Sequence, residues 1–158
     1  MDKQFQRKGG KSNSEVGREF EDMAFEYFLK EGIHLNRSYA IDIGIKYKKP
    51  HKFDFGNKDF LIECKSMKWT ESGNIPSAKL KNWNEAMFLF LLSPKNYKKI
   101  FFVEMDYSQK YCKTLLEYYI DLNYHLIPND VIFYDYYVKN KQCKIYTFED
   151  IIKRNKIL

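Results

Sequence analysis

The chain has 158 residues, which is the size of one domain with a sizeable hydrophobic core. Hydrophobic residues make up 44% and aromatic residues 18% of the chain, which excludes an intrinsically disordered protein. The 27 Lys and Arg residues outnumber the 21 Asp and Glu residues. The resulting formal net charge of +6 favours a polyanionic partner such as nucleic acid.

Cysteine content and hydropathy bear on the compartment. Cys64, Cys112 and Cys143 are too few and too widely spaced for a disulfide framework or a zinc site, which favours a reducing, cytoplasmic compartment. No apolar run approaches the roughly 18 residues of a membrane span, so no membrane partner is expected. Residues 1–13 are polar and basic and are predicted to be a flexible arm rather than a signal peptide. Residues 14–158 are expected to form a single domain.

The first elements predicted along the chain are a helix and a strand. Ser14 is predicted to cap a helix that ends near Gly32, because apolar residues recur there at helical spacing. Residues 41–47 alternate between apolar and polar side chains, as a strand with one buried face does. Pro50 is expected to end that strand, because proline cannot donate to a β-ladder.

The remaining elements alternate between strands and helices. Residues 52–55 and 60–65 are predicted as strands joined by a turn at Gly56-Asn57. A polar loop then leads to a second helix, roughly Ser77 to Leu92, with its apolar residues on one face. The rest of the chain is predicted as a strand over 100–105, a helix over about 108–122, strands over 131–138 and 144–148, and a short helix over 149–154. The predicted fold class is α/β, a single domain with a central mixed β-sheet flanked by helices.

Two charged residues end the apolar strand 60–65. Glu63 and Lys65 are two positions apart, so their side chains project from the same face of a strand. Asp54 lies on the preceding strand, and pairing of the two strands through the turn would bring Asp54 close to Glu63. Two carboxylates on adjacent strands form a hard-oxygen site suited to Mg²⁺. A neighbouring lysine can orient or activate an attacking water and offset charge that builds on a phosphate.

The arrangement of Asp54, eight intervening residues and then Glu63-Cys64-Lys65 resembles the motif of the PD-(D/E)XK nuclease superfamily. The order helix, three strands, helix, strand over residues 14–105 is similar to the restriction-endonuclease-like core of that family, with 106–158 as a C-terminal extension. One position departs from the family pattern, because Phe53 stands where a proline usually precedes the acidic residue. The resemblance implies a Mg²⁺-dependent endonuclease that hydrolyses phosphodiester bonds in DNA, in restriction, repair or recombination, with Mn²⁺ able to substitute.

The resemblance also implies roles for individual residues. Asp54, Glu63 and the backbone carbonyl of Cys64 would bind the metal, and Lys65 would act with the two carboxylates in catalysis. Many members carry a further catalytic Glu in the first helix, about four residues after a glycine.

In this chain Gly17 and Glu21 match that spacing. Glu21 is therefore the candidate for the helix carboxylate. Glu19 lies equally far from the apolar stripe, on its other side, and remains the alternative.

Candidate binding surfaces lie downstream of the motif. Lys68, Lys79 and Lys81, interleaved with aromatic residues, are candidates to contact a nucleic-acid backbone, although a solvated helix start explains the same pattern. The tyrosine-rich segment after Lys110 exceeds what a minimal nuclease core needs, and aromatic residues are enriched at protein interfaces. A homodimer built on that segment is therefore expected, with a monomer as the alternative.

Two functions remain open from the sequence. The first is the DNA endonuclease, and the second is a catalytically inactive nucleic-acid-binding module or accessory subunit that retains the nuclease fold. The intact set of Asp54, Glu63 and Lys65 favours the enzyme, since a decayed site would be expected to lose at least one of them. A surface salt bridge at a strand end is the non-functional alternative for Glu63 and Lys65.

Overall fold

The computed structural model of the chain describes residues 10–156, so the predicted basic arm lies mostly outside the described residues. The elements in chain order are α1 (Asn13–Lys30), β1 (Asn36–Ile43), β2 (Lys49–Gly56), β3 (Phe60–Lys65), α2 (Ser77–Leu92), β4 (Lys98–Glu104), β5 (Tyr107–Ser108), β6 (Lys113–Thr114), α3 (Leu115–Asn123), a 3-10 helix (Tyr124–Leu126), β7 (Val131–Tyr137), β8 (Gln142–Tyr146) and α4 (Phe148–Asn155).

Six strands form one mixed sheet in the order β1-β2-β3-β4-β7-β8. β2 is antiparallel to both of its neighbours, β1 and β3. β4 is parallel to both β3 and β7, and β8 is antiparallel to β7. β5 and β6 form a separate small hairpin. The order α1-β1-β2-β3-α2-β4 is the one predicted for residues 14–105, and the predicted α/β class with a central mixed sheet is confirmed. Because β7 and β8 complete the same sheet, the C-terminal third extends the single domain.

Each face of the sheet carries its own hydrophobic core. On one face α2, α3 and α4 pack around the fully buried Trp83 and against Phe101 and Phe133 of the sheet. On the other face α1 buries Phe28 against Phe102 of β4. Strand residues alternate between the two cores, as the two-residue period of a strand requires. Full burial of each such side chain stabilises the fold by roughly 1.5–3 kcal/mol. The packing of α1 on one face and of α2, α3 and α4 on the other therefore stabilises the sheet.

Helix α1 is capped by Ser12, and the prediction that Ser14 caps it is wrong. The Glu15 N–H donates to the Ser12 hydroxyl at 3.2 Å, and the Ser12 N–H donates to the Glu15 carboxylate at 2.7 Å. This reciprocal capping box satisfies two helix N-terminal donors at once. Ser14 lies in the first turn instead, because it has no Glu or Gln three residues later to complete such a pair.

Strand β1 ends at Ile43, four residues before the predicted end of the alternating stretch. Ile45 and Tyr47, predicted on the buried face, are 83% and 82% exposed in the turn between β1 and β2. At Gly44 a Cβ would lie 2.1 Å from the Tyr47 carbonyl oxygen. The turn thus needs a glycine at that position. The alternation of apolar and polar residues continues past Gly44 in the sequence, but the strand does not.

Pro50 does not end a strand, contrary to the prediction. It is the second residue of β2 and lies opposite Asp42 of β1. β3 pairs with β2 only near Gly56, so Pro50 lies in the part of β2 that has a single neighbouring strand. Proline is tolerated at the start of a strand and along an unpaired edge, because no ladder partner there needs its missing N–H.

The predicted helix over about 108–122 is shorter, since its first residues form the β5–β6 hairpin. Thr114 caps α3 through a reciprocal pair with Glu117, with N–H donors at 2.9 and 3.2 Å. The Thr114 hydroxyl also donates to Asp135 of β7 at 2.7 Å. This contact ties the start of α3 to the central sheet. In the last elements, β8 begins two residues earlier than predicted, and α4 follows its cap at Thr147.

The aromatic residues of the C-terminal third are mainly structural. Tyr119, Phe133 and Tyr136 lie inside the two cores, whereas Tyr124 and Tyr137 are 39% and 37% exposed. The inference from aromatic surplus to a dimer interface is therefore wrong for the buried residues, and the homodimer itself stays a prediction. In the described part of the chain no helix is long and apolar enough to cross a membrane. The three cysteines are free.

Candidate active site

The candidate site lies in a fork where β2 and β3 separate. The two strands pair only at their closed end beside Gly56. At the next position, side chains replace the backbone ladder. The Cys64 N–H donates to Asp54 Oδ2 at 2.7 Å, and the Asp54 N–H donates to Glu63 Oε2 at 3.3 Å. The carboxylates of Asp54 and Glu63 are thereby held together between the two strands.

The backbone of β2 departs from a regular pleat at the level of Asp54. Phe53 belongs to the core on the α2 face, whereas Phe55 belongs to the core on the α1 face. Residues two apart on a regular strand share a face, so the strand rotates between them. On the paired strand Ser38 has a φ of 51°, in the left-handed region. Such strained backbone is found preferentially at functional sites.

The electrostatics of the fork centre on Glu63, which is 8% exposed. Burial, and then the adjacent Asp54 carboxylate, raise the pKa of Glu63 to about 8. Lys65 Nζ lies 3.7 Å from Glu63 Oε1, beyond the range of a good hydrogen bond, so it offsets the negative charge only in part. Glu63 and Lys65 do lie side by side, as their spacing predicted. Without a cation the fork therefore favours the protonated form of Glu63 at neutral pH, and a bound cation would favour its ionised form.

Glu21 borders the fork from α1, and Glu19 does not. The pKa of Glu21 is raised, first by burial and then by the Asp54 carboxylate, while Arg37 and Lys65 act in the opposite direction. Glu19 instead forms an exposed ion pair with Lys11. Of the two helix carboxylates left open by the sequence, the structure thus brings Glu21 to Asp54.

Cys64 offers its main chain, and not its sulfur, to the site. Its N–H is directed at Asp54, and in a strand the N–H and C=O of one residue point to the same neighbouring strand. The carbonyl of Cys64 therefore also faces the fork. The thiol lies in the core on the α1 face, where burial raises its pKa well above the usual value.

These ligand groups fit a hard cation that keeps part of its water shell. Across residues 10–156 no three His, Cys, Asp or Glu side chains are grouped so as to hold a metal ion. The fork offers two carboxylates and one main-chain carbonyl, all of them oxygen ligands. Mg²⁺ usually binds through one or two carboxylates and retains several waters, so this donor set suits it better than Zn²⁺.

A cleft of about 430 Å³ opens beside Asp54. It is formed by α1, β1 and β2, and its lining is almost entirely polar. The lining residues are Arg18, Glu21, Asp22, Arg37, Ser38, Lys52, Phe53 and Asp54. Sequence reasoning missed its three basic members because they lie on three different elements. The one available signal was the helical spacing that puts Arg18 on the same face as Glu21 and Asp22.

The three lysines predicted to contact nucleic acid lie elsewhere. Lys68 Nζ binds the largely buried Glu104 carboxylate at 2.8 Å, which ties the loop after β3 to the end of β4. Lys79 and Lys81 are exposed at the start of α2, and within the described residues neither side chain forms an ion pair. None of the three contacts the carboxylates of the fork in that part of the chain.

The resemblance to the PD-(D/E)XK nucleases stays a prediction from the sequence motif. Comparison of this chain with protein-family models, with curated proteins and with solved structures finds no match.

Proposed function

We propose that this protein is a Mg²⁺-dependent endonuclease that hydrolyses phosphodiester bonds in DNA. The observation that carries the proposal is the meeting of the Asp54 and Glu63 carboxylates in the β2–β3 fork, with Lys65 beside them. A buried carboxylate such as Glu63 in contact with a second one destabilises a fold unless a cation or a proton compensates the charge. A site that retains this arrangement next to a polar cleft is suited to binding a divalent cation.

Each residue of the fork has a role in this proposal. Asp54, Glu63 and the carbonyl of Cys64 hold the cation, and Mn²⁺ fits the same oxygen ligands. Bound Mg²⁺ supplies Lewis-acid stabilisation of the negative charge that develops on the phosphate. Lys65 orients the attacking water and offsets charge on the phosphate oxygens. Glu21, with its raised pKa, is placed to accept the proton that the attacking water loses.

DNA is the substrate favoured by charge and by the resemblance of the motif. The formal net charge of +6 attracts a polyanion. Three basic side chains lie in the cleft that borders Asp54, where a phosphate backbone would approach the carboxylates. Backbone phosphates account for much of the affinity of any nucleic-acid-binding protein.

The test is cleavage of supercoiled plasmid DNA by the full-length protein. Nicked or linear product should form with Mg²⁺ or Mn²⁺ and should be absent with EDTA. Asp54→Asn, Glu63→Gln and Lys65→Met should each slow cleavage by about a hundredfold or more, because each removes a metal ligand or a charge-stabilising group. DNA binding and folding should persist in all three. Glu85→Gln, which removes an exposed carboxylate on α2, is the matched control and should cleave normally.

Two outcomes would contradict the proposal. If Asp54→Asn or Glu63→Gln cleaves at the unmodified rate with unchanged metal dependence, the fork is not the active site. DNA binding without any cleavage across divalent metals would instead favour the catalytically inactive nucleic-acid-binding module.

A further inference from the structure

The cleft beside Asp54 contains basic groups that the chemistry of the fork does not use. Arg37 has the most side-chain contacts of them. Its Nη2 donates to Asp22 Oδ1 at 2.6 Å, and its guanidinium lies 4.6 Å from the Phe25 ring centre and 5.4 Å from that of Phe55. These contacts fix the plane of the guanidinium but use only one of its nitrogens. The side chain is half-exposed, so its remaining donors are accessible from the cleft.

Arg18 and Lys52 complete the basic lining of the cleft. Both are exposed, and neither side chain has an ion pair or a hydrogen bond within the described residues. Arg18 lies one helical turn before Glu21, and Lys52 lies two residues before Asp54. The two unpaired cations are therefore on different walls of one cleft that leads to the fork.

The charge pattern of the cleft is divided. Asp22 is neutralised by Arg37, and the carboxylates of Asp54 and Glu21 belong to the fork. Arg18 and Lys52 are the two cations of the lining that form no ion pair within the described residues, and they lie next to those carboxylates. A volume of about 430 Å³ is many times what one water needs, so a group larger than an isolated phosphate can enter.

We propose that this cleft binds a backbone phosphate adjacent to the one that is cleaved, through Arg18, Arg37 and Lys52. The inference rests on the proposed function, since it takes the fork to act on a nucleic acid. A planar, preorganised guanidinium with two flexible cations beside it matches the donor geometry that phosphate oxygens accept. The anchored phosphate would position its neighbour against Asp54 and Glu63.

The experiment measures DNA binding separately from cleavage. The full-length double variant Arg18→Gln/Lys52→Gln is compared with the unmodified protein, using fluorescence anisotropy of a short labelled duplex in EDTA across a salt series. Loss of two of the three cations at this one phosphate should reduce the slope of log K against log salt by up to about 0.9, since the slope follows the number of phosphates neutralised. Lys139→Gln/Lys153→Gln, with the same loss of charge on the β7–β8 turn and on α4, is the matched control and should change the slope far less. All four substituted side chains are exposed, so folding should be unaffected.

A single neutral methylphosphonate moved along the duplex locates the contact. In the unmodified protein it should weaken binding several-fold only within one or two positions of the cut site, and in the Arg18→Gln/Lys52→Gln variant, which retains Arg37, the effect there should be clearly smaller. Duplexes with 5′-hydroxyl and 5′-phosphate ends distinguish an internal phosphodiester from a terminal phosphate as the bound group.

The proposal is overturned if the cleft variant and the control variant have the same affinity and salt slope. If plasmid cleavage is normal in the same experiments, that result rejects the phosphate-binding role of the cleft and leaves the proposed function intact. If the protein binds DNA through the cleft but never cleaves it, the phosphate site is supported and the proposed nuclease function is rejected.

Discussion

Replacing Glu63 by Gln should stabilise the metal-free protein, and the gain should increase with pH. Glu63 is buried next to Asp54, and its pKa is raised from 4.5 to about 8. A carboxyl group whose pKa rises on folding contributes its full stability below its unfolded pKa and loses it as the pH rises toward its folded pKa. Glutamine keeps the shape of Glu63, carries no charge and can donate to the Asp54 carboxylate. The variant therefore avoids a penalty that the unmodified protein develops between pH 4.5 and 8.

The size of the effect follows from that pKa shift. Each pH unit above the unfolded pKa costs about 1.4 kcal/mol until the folded pKa is reached. The expected gain in the free energy of unfolding is therefore below about 1 kcal/mol at pH 5 and about 3 kcal/mol at pH 7. A change of 3 kcal/mol is a large fraction of the 5–15 kcal/mol that is typical of a folded domain, so it is readily measured.

The assay is urea denaturation followed by circular dichroism, in EDTA, at pH 5, 7 and 8.5. Glu85→Gln serves as the control and should change stability by less than about 0.5 kcal/mol at each pH, since it removes an exposed charge. Addition of Mg²⁺ should stabilise the unmodified protein and not the Glu63→Gln variant, because a ligand stabilises only the state that binds it. A difference that is constant from pH 5 to 8.5, or a variant that is less stable than the unmodified protein, would refute the reasoning.

Three further predictions concern the rest of the domain. Burial raises the pKa of Asp135 to about 7. The free energy of unfolding of Asp135→Asn should therefore rise by up to about 4 kcal/mol relative to the unmodified protein between pH 4 and pH 8. A difference in urea denaturation that does not change with pH would contradict this. Gly56→Ala should lower the free energy of unfolding by about 1–3 kcal/mol, measured by heat or urea. The reason is that the new Cβ would lie 2.4 Å from the Tyr39 ring and 2.9 Å from the Phe60 carbonyl oxygen. Unchanged stability would show that the backbone at the closed end of the fork can relax. Sedimentation at micromolar concentration should give a homodimer that linearises plasmid DNA, whereas a monomer that yields only nicked circles would exclude the dimer and leave the catalytic assignment unaffected.

The sequence determined the elements whose signals are local. Helix α2 and strand β7 have the predicted bounds to within a residue, because an apolar face at helical spacing and a dense run of aromatic and β-branched residues need no distant partner to be recognised. The spacing of Asp54, Glu63 and Lys65 was also sufficient to place three charged groups in one fork. Two positions along a strand share a face, and a short turn leaves few ways to pair its strands.

Other features were decided only by tertiary structure. The hydrogen bond that ties the start of α3 to the sheet runs from Thr114 to Asp135, 21 residues later in the chain. The choice of Glu21 over Glu19 depends on which side of α1 faces the sheet, and Lys68 is engaged by Glu104 of a different strand. None of these partners is close in sequence, so no local pattern marks them.

The cleft shows most clearly what the sequence by itself could not determine. Arg18, Arg37 and Lys52 come from a helix and two strands, and each of them alone has the pattern of an ordinary solvated charge. They line a common cleft only because α1 packs across the sheet and β1 pairs with β2. Electrostatic and hydrogen-bonding interactions act over a few ångströms in space, whereas sequence patterns record only neighbours along the chain. The grouping of Asp54, Glu63 and Lys65 was therefore predictable from residue spacing, whereas the basic side chains around them are brought together only by the fold.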